Sequence, residues 1–144
     1  MEQVDRELQQ RVWQRVQGTA PPLDCREPLA LMGELGNHYR ILADTAGGHR
    51  EQLRQLSRQL QGNRRALLGL CRICGCTGGE GGSFSDRETI QRRLIKCCHL
   101  ERRLGEALEG LSGAPEWGRI CARLAEDART RSIRLLEILG AAKP

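Results

Sequence analysis

The sequence predicts an all-α protein, an up-down-up-down four-helix bundle with a short extra helix at its N-terminus, and three observations carry that prediction. Among 144 residues there are only one Phe, one Tyr and two Trp, while Leu and Ala recur throughout. That composition favours helices packed by aliphatic side chains over a sheet of aromatic and β-branched residues. Apolar residues return every three or four positions over long stretches, the period of an amphipathic helix. Breaks rich in Gly and Pro cut those stretches into four long segments and one short one. A chain of this length holds one ordinary core. The expected organisation is an N-terminal helix and linker over residues 1–23, the bundle over 24–140 and a tail over 141–144.

The short helix spans about residues 3–16, with Val4, Leu8, Val12 or Trp13 and Val16 on one side, and ends before Gly18, Pro21 and Pro22. Asp24 caps the first long helix, Pro28 fits its first turn, and Leu31, Leu35, Tyr39 and Leu42 line it as far as the break at Gly47 and Gly48. The second runs from His49 to Cys74 with Leu53, Leu56, Leu60, Leu67 and Cys71 or Cys74 on one stripe, and stops before the loop Gly78 to Gly82. Ser85 with Glu88 three residues later is a capping-box pattern opening a third helix that lasts to about Leu111. The fourth follows Gly113 and Pro115 and ends at Gly140.

Three charged residues interrupt these apolar stripes. On the third helix Ile90, Leu94, Cys97, Glu101, Leu104, Leu108 and Leu111 form a seam with one carboxylate in it. On the fourth, Arg131 stands among Trp117, Cys121, Leu124, Ala128, Leu135 and Ile138; on the second, Arg64 stands between Leu60 and Leu67. A buried ionised Glu needs a cation, a metal or a path to water, because desolvation without one costs several kcal/mol. Mirroring the helices about their loops brings the three to comparable heights. The expectation is a buried cluster of Arg64, Glu101 and Arg131, against the alternative of three surface side chains on slightly rotated helices.

Tyr39-Arg40-Ile41-Leu42-Ala43, and Glu116-Trp117-Gly118 followed by Ala122 to Asp127 and Leu135 to Gly140, resemble the first and last helices of the ferritin-like superfamily, in particular small bacterial rubrerythrin-type domains. The resemblance covers about residues 26–140. It implies a di-iron or di-manganese centre built from one Glu on each of two helices and a Glu-x-x-His on each of the other two. Glu101 matches the third-helix Glu. The fourth-helix Glu-x-x-His positions hold Ala128 and Arg131, the second-helix positions hold Gln61 and Arg64, and Met32 takes the first-helix place. With one ligand of the set kept, oxygen chemistry at such a centre is not expected, since Ala, Met and Arg do not coordinate these metals. Two guanidinium groups in place of the metals would neutralise Glu101.

Seven cysteines are present, an odd number in a chain that begins with no apolar signal core, so free or metal-bound thiols in the cytoplasm are the expectation. Cys71, Cys74 and Cys76, with Cys97, Cys98 and His99, are candidate ligands for Zn or Fe; the competing reading is that these cysteines pack as small hydrophobes. No apolar run approaches the roughly 20 residues a bilayer requires, so no membrane partner is expected. The formal net charge of +5 is spread over 23 basic and 18 acidic residues, which reads as a mixed helical surface, and nucleic acid is not expected. No nucleophile constellation or phosphate loop is recognisable. The sequence therefore points to a non-catalytic scaffold or partner-binding module without cofactor, able to form a homodimer or bind a protein partner. The alternative is a metal-binding or thiol redox protein, either with cysteine-bound Zn or Fe or as a divergent rubrerythrin-type di-iron oxidoreductase.

Overall fold

The computed structural model describes residues 24–74, 87–114 and 116–142. Four helices pack against each other: α1 (Arg26–Thr45), α2 (Arg50–Cys74), α3 (Ile90–Glu109) and α4 (Gly118–Ala142), with a 3-10 turn (Gly47–His49) between the first two. The expected N-terminal helix, the Gly78 to Gly82 loop, Ser85, Cys76 and the Cys74 side chain lie outside the described residues. No described helix is long and apolar enough to cross a membrane.

Helix boundaries follow from local chemistry. Ahead of α1, the Asp24 carboxylate accepts the Arg26 backbone N–H at 3.2 Å, satisfying a donor that no preceding turn can reach. Gly47, with φ of +55°, takes the left-handed conformation that reverses the chain after α1 at no side-chain cost. The third helix opens at Thr89, whose Oγ1 accepts from the Arg92 backbone N–H at 3.2 Å. That corrects the expected opening at Ser85 and Glu88: Thr89 sits in extended backbone one residue before the first helical turn, the geometry a capping hydroxyl needs, and Glu88 pairs instead with Lys96. At the turn into α4, a side chain on Gly118 would collide with the Ser112 carbonyl, so only glycine fits. The last helix continues through Gly140 to Ala142, past the expected stop, because a glycine weakens a helix by only about 1 kcal/mol.

Arg50 Nε donates to the Ala43 carbonyl at 3.2 Å, and Gly36 lies beside Gln61, so α2 doubles back along α1. Cys98 reaches the Ser132 carbonyl, Glu101 meets Arg131, and Glu109 meets Arg129, so α4 doubles back along α3. The helix α1 also packs on α3, whereas α2 and α4 touch only sparsely. The core is almost wholly aliphatic, built from Leu29, Leu35 and Leu42 on α1, Leu53, Leu60 and Leu67 on α2, Leu94, Leu104 and Leu108 on α3, and Leu124, Leu135 and Ile138 on α4. Into it project four polar side chains of at most 2% exposure: His38, Arg93, Glu101 and Arg131.

Candidate functional site: a buried ionic centre

The interior polar group is centred on Glu101 of α3. Its Oε1 accepts two hydrogen bonds, one from the Tyr39 hydroxyl on α1 at 3.0 Å and one from Arg131 Nε on α4 at 2.9 Å. Arg131 Nη1 then donates to Asn63 Oδ1 at 2.7 Å and to Gln59 Oε1 at 3.1 Å, both on α2. Asn63 Nδ2 donates onward to Asp127 Oδ2 at 2.9 Å. One network therefore ties all four helices together at the point where the core would otherwise be apolar.

Sequence spacing locates two members of this group. Glu101 and Arg131 are both fully buried and paired, while Arg64 is exposed and takes no part. The correction has a simple cause. Between Leu60 and Leu67 an inward stripe can step by three or by four, and only the step of three places Leu56, Leu60, Asn63, Leu67 and Leu70 on the alternating three-four pattern that faces the core. Asn63 is the inward residue, and Arg64 is turned about 100° away. Spacing also does not find the Tyr39 and Gln59 contacts. A Tyr on the inner stripe of α1 needs a partner for its hydroxyl, and that requirement is the available signal.

Burial governs the titration of the group. It raises the Glu101 carboxyl above its ordinary value, and the Arg131 and Tyr39 hydrogen bonds oppose that rise. The Tyr39 hydroxyl is pushed well above its ordinary range, first by burial and then by the neighbouring Glu101 charge. The Cys97 thiol, one turn before Glu101, is pushed up by the same two causes. Neither the phenol nor the thiol offers a nucleophile or a base at neutral pH. Glu101 Oε2 and Arg131 Nη2 form no hydrogen bond, so the pair is not arranged for maximal stability.

A di-metal centre, as the ferritin-like resemblance implies, does not fit these residues. Its donor set would need several carboxylate and imidazole ligands. Ala128 and Met32 are buried at the corresponding places and donate nothing suitable. Among the described residues the one fully buried carboxylate already holds a guanidinium at 2.9 Å. A fixed positive charge at that distance repels a divalent cation.

The candidate thiol ligands are dispersed. Cys71, Cys97 and Cys98 are buried and His99 is exposed. Among the described residues no three His, Cys, Asp or Glu side chains are grouped so as to hold a metal ion. Helix register explains why. The last turn of α2 lies beside the first turn of α1, so Cys71 is near the level of Cys25. The Asn63–Asp127 contact sets α4 against α2 such that Cys121 is near that level too. Cys97 and Cys98 lie further along the bundle, level with the middle of α1, where Arg93 meets His38.

A second polar pair occupies that region. His38 Nδ1 accepts from Arg93 Nη1 at 2.8 Å, which fixes the neutral ring with its proton on Nε2, since a guanidinium only donates. Glu34 lies 3.9 Å from His38 Nε2. Burial and the Arg93 charge push the His38 imidazole down to about 4. Comparison of the chain with protein-family models, with curated proteins and with solved structures gives no match.

Proposed function

We propose that this protein is a ferritin-like bundle in which an ion pair has taken the place of the metal centre, and that it works as a non-catalytic scaffold or partner-binding module. The observation that carries this reading is the Arg131–Glu101 pair at the middle of the core, bonded to Tyr39, Asn63 and Gln59 from the remaining two helices. A guanidinium stays charged at every physiological pH, so the centre is a permanent substitute for a cation. Its planar fork also fixes which residues of α2 and α4 stand opposite one another. Such a pair adds little net stability but selects one register over others.

The expected up-down-up-down order is corrected to up-down-down-up by the helix contacts, and this order supports the same reading. Glu27 pairs with Arg103 and His38 with Arg93, contacts that run α3 opposite to α1. As α2 also runs opposite to α1, α2 and α3 share a direction, and the end of one stands far from the start of the other. A crossover of this kind between the second and third helices is a feature of ferritin-like bundles.

Metal analysis tests the proposal. Protein purified anaerobically and then offered Fe(II), Mn(II) and Zn(II) separately is expected to retain none stoichiometrically after desalting, with an unchanged melting temperature. Stoichiometric iron or manganese that disappears in Glu101→Ala would overturn it. A thiol-based reading draws on the cysteines at the end of α2, where Cys71 is buried. Zinc or iron lost on Cys71→Ser but kept in Glu101→Ala would favour that second reading.

A further inference from the structure

Basic and acidic residues look mixed along the chain as a whole, but they are sorted by helix. Six arginines lie on α2 against the single carboxylate Glu51, an excess as large as the net +5 of the entire chain. At ~100° per residue, Arg50, Arg54, Arg58, Arg64, Arg65 and Arg72 fall within about 120° of arc, with Arg64 at the edge nearest Leu60 and Leu67 and the others turned further from them. All six are exposed. From Arg50 to Arg72 the stripe is about 33 Å long.

The concentration of arginines against a single carboxylate, more than the pairing of each one, sets α2 apart from the other helices. Elsewhere Arg26 pairs with Asp24, Arg103 with Glu27, Arg129 with Glu109 and Glu126, and Arg134 with Glu137, while the exposed Arg40, Arg92, Arg102, Arg119 and Arg123 make no ion pair among the described residues. On α2 only Arg58 has one, Glu51 at 3.8 Å. Arg54, Arg64, Arg65 and Arg72 make no ion pair among the described residues. The surface beside the stripe is concave. A cleft of about 670 Å³ runs between α1 and α2, with Arg54, Arg58 and Arg64 on one wall and Arg40 on the other, and Asp44 is its one carboxylate. Gly33 and Gly36 lower the α1 wall, and a Cβ on Gly33 would meet nothing within 4 Å.

We propose that the α2 face, with Arg40, binds the phosphate backbone of duplex nucleic acid without reading its sequence. Six guanidinium groups along α2, with Arg40 across the cleft, repel one another until counter-charge arrives, and a polyphosphate chain supplies that charge. The row is as long as about one turn of duplex, ~34 Å. Among the described residues no aromatic side chain is exposed on this face, so it offers no platform for unstacked bases, which sets duplex above single strands. The inference is independent of how the buried centre is read, since none of these arginines touches it.

Fluorescence anisotropy on the full chain tests it, with a DNA duplex and an RNA duplex of about 20 base pairs, the matching single strands, and polyglutamate as probes. Both duplexes are expected to bind in the micromolar range at low salt, and log K against log salt should have a slope of about −4 or steeper for DNA. Arg54→Gln with Arg58→Gln should weaken binding at least about tenfold and flatten the slope by about 2. Arg92→Gln with Arg102→Gln, exposed on α3 away from this face, should change neither. Unchanged helical circular dichroism in both double variants keeps the comparison valid. A slope shallower than about −2, equal losses in the two double variants, tighter binding to single strands, or polyglutamate binding as well as duplex would each overturn the proposal.

Discussion

At the scale of the residue, Glu101 and Arg131 are each costly alone and tolerable together. Both are fully buried, and removing one partner leaves the other charged without compensation, an effect of about 3–5 kcal/mol. Urea denaturation is expected to show Glu101→Leu and Arg131→Met each destabilised by about that much. The double variant should be more stable than either, with a coupling of at least about 2 kcal/mol. Additive losses would show that the two side chains do not act as a pair. His38 gives a separate prediction, on pH. Its folded value near 4 lies below the ordinary 6.5, so the unfolded chain takes up the proton first as pH falls. The stability from the neutral ring is complete above about pH 6.5, declines below it, and is gone by about pH 4, a change of up to about 3 kcal/mol. Glu101 works in the opposite direction, because its raised value gives stability that is lost as pH rises. The His38 part is therefore read from the difference between wild type and His38→Gln, which should widen from pH 4 to 6.5. A flat difference would show that the ring titrates alike in the folded and unfolded chains. Glu101 and Arg131 are legible in the sequence because a charge in the middle of an otherwise apolar seam must find a partner inside the core. The outward turn of Arg64 is not, because Leu60 and Leu67 alone admit either Asn63 or Arg64 between them, and only counting Leu56 and Leu70 on the same stripe selects Asn63.

At the scale of the element, α3 is the most readable segment. Of the expected seam, Leu94, Cys97, Glu101, Leu104 and Leu108 are all buried, as an alternation by three and four requires, while Ile90 at its start is exposed and Leu111 at its end is half-buried. Its start is not readable, because Ser85 and Thr89 both offer a capping hydroxyl and only the folded backbone decides between them. The helices α3 and α4 meet at Gly105, which is buried. A Cβ there would meet the Ala125 carbonyl and the Arg129 side chain at 3.6 Å, ordinary contact. Gly105→Ala is therefore expected to be neutral or to stabilise by up to about 1 kcal/mol through helix propensity. Gly105→Leu must push the helices apart and should cost about 1–3 kcal/mol. Thermal melts of the two variants check this, and a Leu variant as stable as the Ala variant would show that the interface is looser than its spacing implies. The same close approach accounts for the Glu101–Arg131 contact, since two helices held further apart would leave that pair too long for a direct bond.

At the scale of the whole molecule, the helices are unequally secured. Sequence periodicity carries no sign of this, because it tells which face of a helix is inward but not which neighbour that face meets. Both α1 and α4 press on α3, which makes it the hub, whereas α2 rests mainly on α1 and meets α4 through Gln59, Asn63 and Arg131. Polar contacts across a seam contribute less net free energy than apolar burial, about 1 kcal/mol for each ordinary hydrogen bond. The α2 surface also carries six arginines against one carboxylate, Glu51, and their mutual repulsion lowers its stability further. Opening of the bundle should therefore begin at α2, at lower free energy than global unfolding. Native-state amide exchange is expected to rank α3 as best protected and α2 as least. Added salt should raise α2 protection selectively, because screening weakens repulsion among exposed charges while leaving the buried Glu101–Arg131 pair almost untouched. Equal protection of the two helices at low salt would mean that the polar seam holds as firmly as the aliphatic one, and that the arginine row does not weaken the helix it lies on.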